Sequence, residues 1–190
     1  MDWRIVNVLL FFASLVAYGQ EKVEREYRVK VREVPAEARE WLDDAFEGHK
    51  RVKWFMEETS GKKSFEAKFP WKKEDYSVEF DLSGKIEDIE IQKNWQDLSE
   101  AIRNNLEVYF EANYSKWRIE KIQMQFTGEP DDLEDMIDEE EQEQIVIRFE
   151  IEYYAEKGEG KGLWEGLFDK DGNFMNKREV MIPPVDNLFF

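Results

Sequence analysis

FDLSGK, residues 80–85, returns downstream as FDKDGN, residues 168–173, and the fold turns on what these two segments are. The second copy has the spacing of a calcium loop. An EF-hand loop needs oxygen ligands at positions 1, 3 and 5, a glycine at 6 and a closing glutamate at 12. Asp169, Asp171 and Asn173 supply the first three, but Phe174 and Val180 stand at the sixth and twelfth positions. The first copy has Ser83 and Lys85 where ligands would sit. What both keep is Phe-Asp and a glycine, which are the requirements of a hairpin turn. The pair therefore predicts one turn used twice, with no metal site.

Working outward, the sequences around the two turns correspond. Tyr76, Val78 and Phe80 align with Trp164, Gly166 and Phe168 at the offset that carries Asp81 onto Asp169. Upstream, residues 38–54 resemble 102–117, with Leu42 and Phe46 matching Leu106 and Phe110. The second copy is longer, and EPDDLEDMIDEEEQEQ (129–144) accounts for most of the excess. Its ten carboxylates predict a solvated, extended loop, because runs of like charge repel one another. Leu133, Met136 and Ile137 nevertheless fall at helical spacing within it.

Each copy predicts a helix followed by strands. Ala38, Leu42, Ala45 and Phe46 form one helical stripe behind Pro35. Leu98, Ile102, Leu106, Tyr109 and Phe110 form the other, with Ser99 placed as its N-cap. The period then changes to two, most clearly in Tyr76-Val78-Phe80 and in Ile145-Ile147-Phe149-Ile151-Tyr153. The expected fold class is α+β, as two tandem repeats, each a helix packed on an antiparallel β-sheet. The expected boundaries are 34–95 for the first repeat and 96–182 for the second, with the acidic insertion at 129–144. Residues 20–33 are expected as a leading strand or linker, and 183–190 as a tail.

The first nineteen residues have the pattern of a signal peptide: Arg4, an apolar run from Ile5 to Ala17, and the small residues Ala17 and Gly19 before Gln20. That run is shorter than the roughly 20 residues a membrane span needs, so stable membrane insertion is not expected. The formal charge of −17 disfavours nucleic acid as a partner. With no cysteine, thiol catalysis and disulfides are excluded. The only imidazole is His49, in the expected turn after the first helix, where it reads as a solvated residue. No HExxH, P-loop or dinucleotide fingerprint is present. The composition thus predicts a non-enzymatic protein without a cofactor.

Val34-Pro35-Ala36 opening a helix, Lys53-Trp54 and Lys116-Trp117 entering strands, and the closing Phe-Asp turns resemble the PepSY-like repeat. That repeat is found, often in tandem, in secreted proteins of Bacteroidetes-type bacteria, and it resembles the fold of the secreted β-lactamase inhibitor protein. The resemblance covers about residues 34–182. It implies an exported, periplasmic or extracellular location and a binding or inhibitory role toward a protein such as a peptidase.

The expected function is accordingly an exported binding module that presents a sheet surface to a protein partner. Phe55, Trp71, Trp95, Tyr154, Leu163 and Leu167 are the candidate contact residues, because large apolar groups standing among charges are anchors for association. The alternative is an acidic, calcium-buffering envelope protein that binds divalent cations weakly through residues 129–144.

Overall fold

A computed structural model describes residues 21–22, 24–59, 61–139, 144–157 and 160–180. The expected signal peptide, the tail at 183–190 and residues 140–143 of the acidic stretch lie outside the described residues. The strands are β1 (Glu21–Lys22), β2 (Glu24–Arg28), β3 (Lys53–Thr59), β4 (Lys62–Trp71), β5 (Glu74–Phe80), β6 (Ile86–Lys93), β7 (Lys116–Thr127), β8 (Val146–Lys157), β9 (Gly160–Asp169) and β10 (Phe174–Val180). The helices are α1 (Ala36–Ala45), α2 (Glu100–Asn113) and α3 (Pro130–Glu139).

All ten strands belong to one sheet, in the order β1-β10-β9-β8-β7-β6-β5-β4-β3-β2. Neighbours from β2 to β10 are antiparallel, and only the two-residue β1 joins β10 in parallel. The expected pair of separate helix-on-sheet repeats is therefore not what the chain forms. Two findings overturn it. First, β6 pairs with β7 across the expected boundary, from Ile89 opposite Phe126 to Lys93 opposite Ile122. Two separate sheets would each have left an unpaired edge there, and unpaired backbone groups are a liability that pairing removes. Second, α3 follows β7 in the chain yet packs beside α1. Its Leu133, Met136 and Ile137 are buried in the same cluster as Val34, Leu42, Phe65 and Phe80.

The acidic stretch is corrected by the same observation. Where its ten carboxylates predict a solvated loop, residues 130–139 form a helix with one apolar side. Leu133 is fully buried, while Asp131, Asp135 and Asp138 face solvent. Three apolar side chains at helical spacing outweigh the repulsion, because each buried one contributes about 1.5–3 kcal/mol.

Alternation along the strands sets the layers. Trp54, Phe65, Ala67, Val78, Phe80, Ile89 and Phe126 point to the side covered by α1 and α3. Ile122, Phe149, Ile151, Tyr153 and Phe168 point to the same side, under α2 with its Leu106 and Phe110. Ser99 caps α2, its hydroxyl accepting a hydrogen bond from the amide of Ile102 at 3.3 Å. The two Phe-Asp turns are local hairpins that dock against the helices. Asp81 Oδ1 accepts from the amides of Ser83, Gly84 and Lys85, and Asp169 Oδ1 from those of Asp171 and Asn173. Gly84 and Gly172 have φ of +100° and +82°, and a Cβ at either would press to 2.9 Å on backbone atoms of Ala38 or Ile102. Glycine is required at both.

A sheet of this size curls rather than staying open. The ends of the strand order are consecutive in the chain, since β1 on β10 and β2 on β3 are separated by a single residue. β1 on β10 and β2 on β3 therefore lie close in the chain at opposite ends of the sheet, and the side without helices is concave, enclosing a cavity lined by β3 through β8 and by β10.

Candidate binding face

The concave side is built from the other half of each strand's alternation. Phe55, Glu57 and Thr59 on β3 stand beside Ser64, Glu66 and Lys68 on β4, and next to them Ser77 and Glu79 on β5. Asp88 and Glu90 on β6 follow, with Gln125 of β7 opposite Glu90 and Gln123 two residues back along β7 on the same side. Lys121, Glu150 and Glu152 lead on to Glu165 on β9 and Arg178 on β10. Side chains from β3 through β8 and from β10 line one cavity of about 290 Å³.

Curvature buries what the pattern alone would leave wet. Glu66 is 4% exposed, Glu165 5%, Glu57 and Glu90 8% each. Buried charges need partners, and many are supplied. Glu66 accepts from Ser77 Oγ, and its Oε2 lies 2.9 Å from Lys68 Nζ. Lys68 also pairs with Glu26 on β2. Gln123 donates to Glu90, Gln125 to Asp88 at 3.1 Å, and Arg178 pairs with Glu165. Lys62 reaches Glu87 at 2.7 Å.

The carboxylates still outnumber the cations. Burial, then the facing Asp88 and the nearby Glu57 and Glu66, pushes Glu79 up to about 9. Burial and Glu87 raise Asp88 to about 7. Burial and Glu150 hold Glu90 well above the carboxylate range. Burial also raises Glu66, although Lys68 and Ser77 pull the other way. Protons thus substitute for missing counter-charge at neutral pH. Carboxylate oxygens of Glu57, Glu66 and Glu79 lie within 4.8 Å of one another, a spacing at which they can hold one cation among them.

The six expected contact residues divide. Tyr154 and Leu163 are cross-strand partners on the concave side, and Leu167 lies further along β9 on the same side. Tyr154 is 39% exposed, with the Arg118 guanidinium 5.5 Å from its ring centre. These two line a separate shallow hollow with Lys116 and Lys161. Phe55 shares the concave side but stands on β3, five strands along the order, with Lys68 Nζ 5.2 Å from its ring centre. Trp71 and Trp95 belong to the helix side. Trp71 packs on Phe46 and Tyr76 and donates Nε1 to the Glu47 carbonyl, while Trp95 packs against the α2 cluster. His49 bonds Asp43 at 2.7 Å and lies against Phe69, also on the helix side.

The buried carboxylates were not among the expected contact residues. Alternation does place Ser77 and Glu79 on the polar side of β5, but the curvature that encloses them has no short-range signal.

The fold and face so far define a curled, single-sheet α and β protein with helices on its convex side. Solved structures of that kind are known. The chain is similar to a DUF2874 family protein from Bacteroides ovatus, with 14% identity, TM-score 0.54, and coverage of 77% of this chain and 87% of the other. It is similar to a second from Bacteroides uniformis, with 13% identity, TM-score 0.52, and coverage of 77% and 89%. A protein from Bacteroides fragilis described as BLIP-like matches at 15% identity and TM-score 0.49, covering 77% and 86%. No family model matches the chain, and no curated protein does. The shared fold with the two DUF2874 proteins is what these matches show.

Proposed function

We propose that the chain is an exported, non-enzymatic binding module whose concave sheet side receives a protein partner, in the manner of an inhibitor or regulator. One observation carries the proposal. Helices cover one side of the sheet, whereas the concave side holds a polar cavity and, apart from it on β8 and β9, carries partly exposed Tyr154, Leu163 and Leu167. An aromatic and aliphatic group beside polar, solvent-reachable positions is the composition of an association hot spot. Export rests on the signal-peptide pattern of residues 1–19, and the PepSY-like relationship on the Val-Pro-Ala, Lys-Trp and Phe-Asp motifs. A peptidase is the kind of partner that relationship suggests.

The test compares immobilised wild-type protein with a Tyr154→Arg, Leu163→Arg variant in capture from native envelope and secreted fractions. The wild type is expected to retain a partner that the variant loses, at unchanged melting temperature. Equal capture by both proteins would overturn the assignment to this face.

A further inference from the structure

We propose that the concave cavity accepts a lysine ammonium from the protein partner, held among Glu57, Glu66 and Glu79. This rests on the reading of the concave side as a protein-binding face and names the chemistry that the face selects.

Charge complementarity carries the argument. Seven carboxylates and four cationic side chains line the cavity, so it is short of positive charge. Part of the deficit is met by protons on Glu79, Asp88 and Glu90, at positions where buried like charges face one another. Glu79 faces Glu66 on β4, Asp88 on β6 and Glu57 on β3, and these carboxylates together with Glu87 outweigh the Lys62 ammonium that also acts on it. A second observation is independent of that count. Asp88 is among the residues that line the same cavity, and its Oδ1 is closed to solvent without a hydrogen-bond partner, whereas Gln125 donates to its Oδ2. A buried acceptor without a donor is costly, and a donor arriving in the cavity removes that cost.

The small number of carboxylates favours an ammonium as the donor, and the spacing of their oxygens admits it. It carries three N–H groups. Charge-assisted bonds of about 2.8 Å in tetrahedral directions put its acceptors about 4.6 Å apart. The oxygens of Glu57, Glu66 and Glu79 lie within 4.8 Å of one another. A calcium ion draws its oxygens to about 2.3–2.6 Å and takes six to eight of them, whereas three carboxylates form this group. The protein already uses the same chemistry at the cavity margin, where Lys68 bridges Glu26 and Glu66. An entering ammonium takes over the role of the protons, which pass to solvent.

The experiment is a titration followed by amide chemical shifts, using Nα-acetyl-lysine N-methylamide and its Nε-acetylated counterpart. Saturable shifts on β3 to β6 are expected with the first compound only. Affinity should rise between pH 6 and pH 9, as the carboxylates ionise while lysine stays charged. Glu79→Gln should weaken binding about tenfold or more, the size of a lost charged hydrogen bond. Neutralising Asp131, Asp132 and Asp135 of α3 to Asn should leave binding intact, although it removes more charge. Glu57→Gln provides a second cavity variant. Equal loss in the α3 variant would reduce the effect to diffuse charge and overturn the proposal. So would equal binding of the acetylated compound, no binding at all, or saturable shifts with calcium chloride in place of lysine. The Tyr154, Leu163 variant separates the two readings. If it loses the captured partner while the wild type fails to bind the lysine compound, the face stands and the ammonium site falls.

Discussion

The two sides of the sheet obey the same alternation, yet they bury opposite chemistry. On the convex side, Val78, Phe80, Ile89 and Phe168 lie under helices and are closed to solvent. On the concave side, Glu66, Glu90 and Glu165 are nearly as enclosed, with only the curl of the sheet to cover them. Burial of apolar groups under helices drives folding. Burial of carboxylates by curvature costs free energy that is returned only in part through lysines, glutamines and protons. The convex side should therefore carry stability, and the concave side should hold groups in a state that a ligand can relax.

The largest effect is expected on the convex side. Phe110 is fully buried in α2, stacked on Trp117 at 4.8 Å and edge-on to Tyr153 at 4.8 Å. Phe110→Ala should cost about 3–5 kcal/mol in denaturant unfolding. A loss below about 1 kcal/mol would contradict the picture of a well-packed helix side. Next is Leu133→Ala in α3, at about 2–5 kcal/mol. This substitution asks whether the acidic helix belongs to the core, as its burial with α1 indicates. A variant as stable as the wild type would mean that α3 is only a solvated connection.

The concave side should respond to pH instead. Glu79 is raised from 4.5 to about 9 and Asp88 from 3.8 to about 7. Both bind protons more tightly folded than unfolded, so their contribution is fully present below the unfolded values. It is lost as pH climbs through the folded ones. Stability should fall from pH 5 to pH 9, by up to about 1.4 kcal/mol per pH unit for each proton involved. Glu79→Gln imitates the protonated form and should flatten the slope between pH 7 and pH 9. Melting curves that rise over that interval, or an unchanged slope in the variant, would remove the proton-held carboxylates from the account.

Much of this was legible in short-range pattern. The stripes ending in Phe46 and Phe110, the Ser99 cap and the strand alternation all depend on residues within a few positions of one another. What stayed hidden depends on distant pairing. Nothing near Lys93 announces that β6 will join β7, and it is this join that turns the expected repeats into one sheet. Leu133, Met136 and Ile137 showed helical spacing, but the partner that makes the helix worthwhile, the α1 core, lies some ninety residues earlier. Tyr154, Leu163 and Leu167 fell on the concave side because alternation alone decides a face. Trp71 and Trp95 fell on the other because they sit at a strand end and in a short turn, where alternation gives no direction.

The smallest effect on stability should come from the concave rim, and it bears most directly on function. Tyr154 is 39% exposed, its ring is approached by Arg118, and no helix covers it. A cation above an exposed ring contributes about 0.5–1 kcal/mol, most of which is recovered as hydration when the pair is broken. Tyr154→Ser should therefore change the unfolding free energy by no more than about 0.5 kcal/mol. At an association hot spot the same truncation costs about 2 kcal/mol or more of binding. A face kept for recognition shows that divergence between folding and binding. If Tyr154→Ser destabilises the fold by several kcal/mol, the tyrosine is a structural support, and the concave rim loses its claim to be the surface that meets a partner.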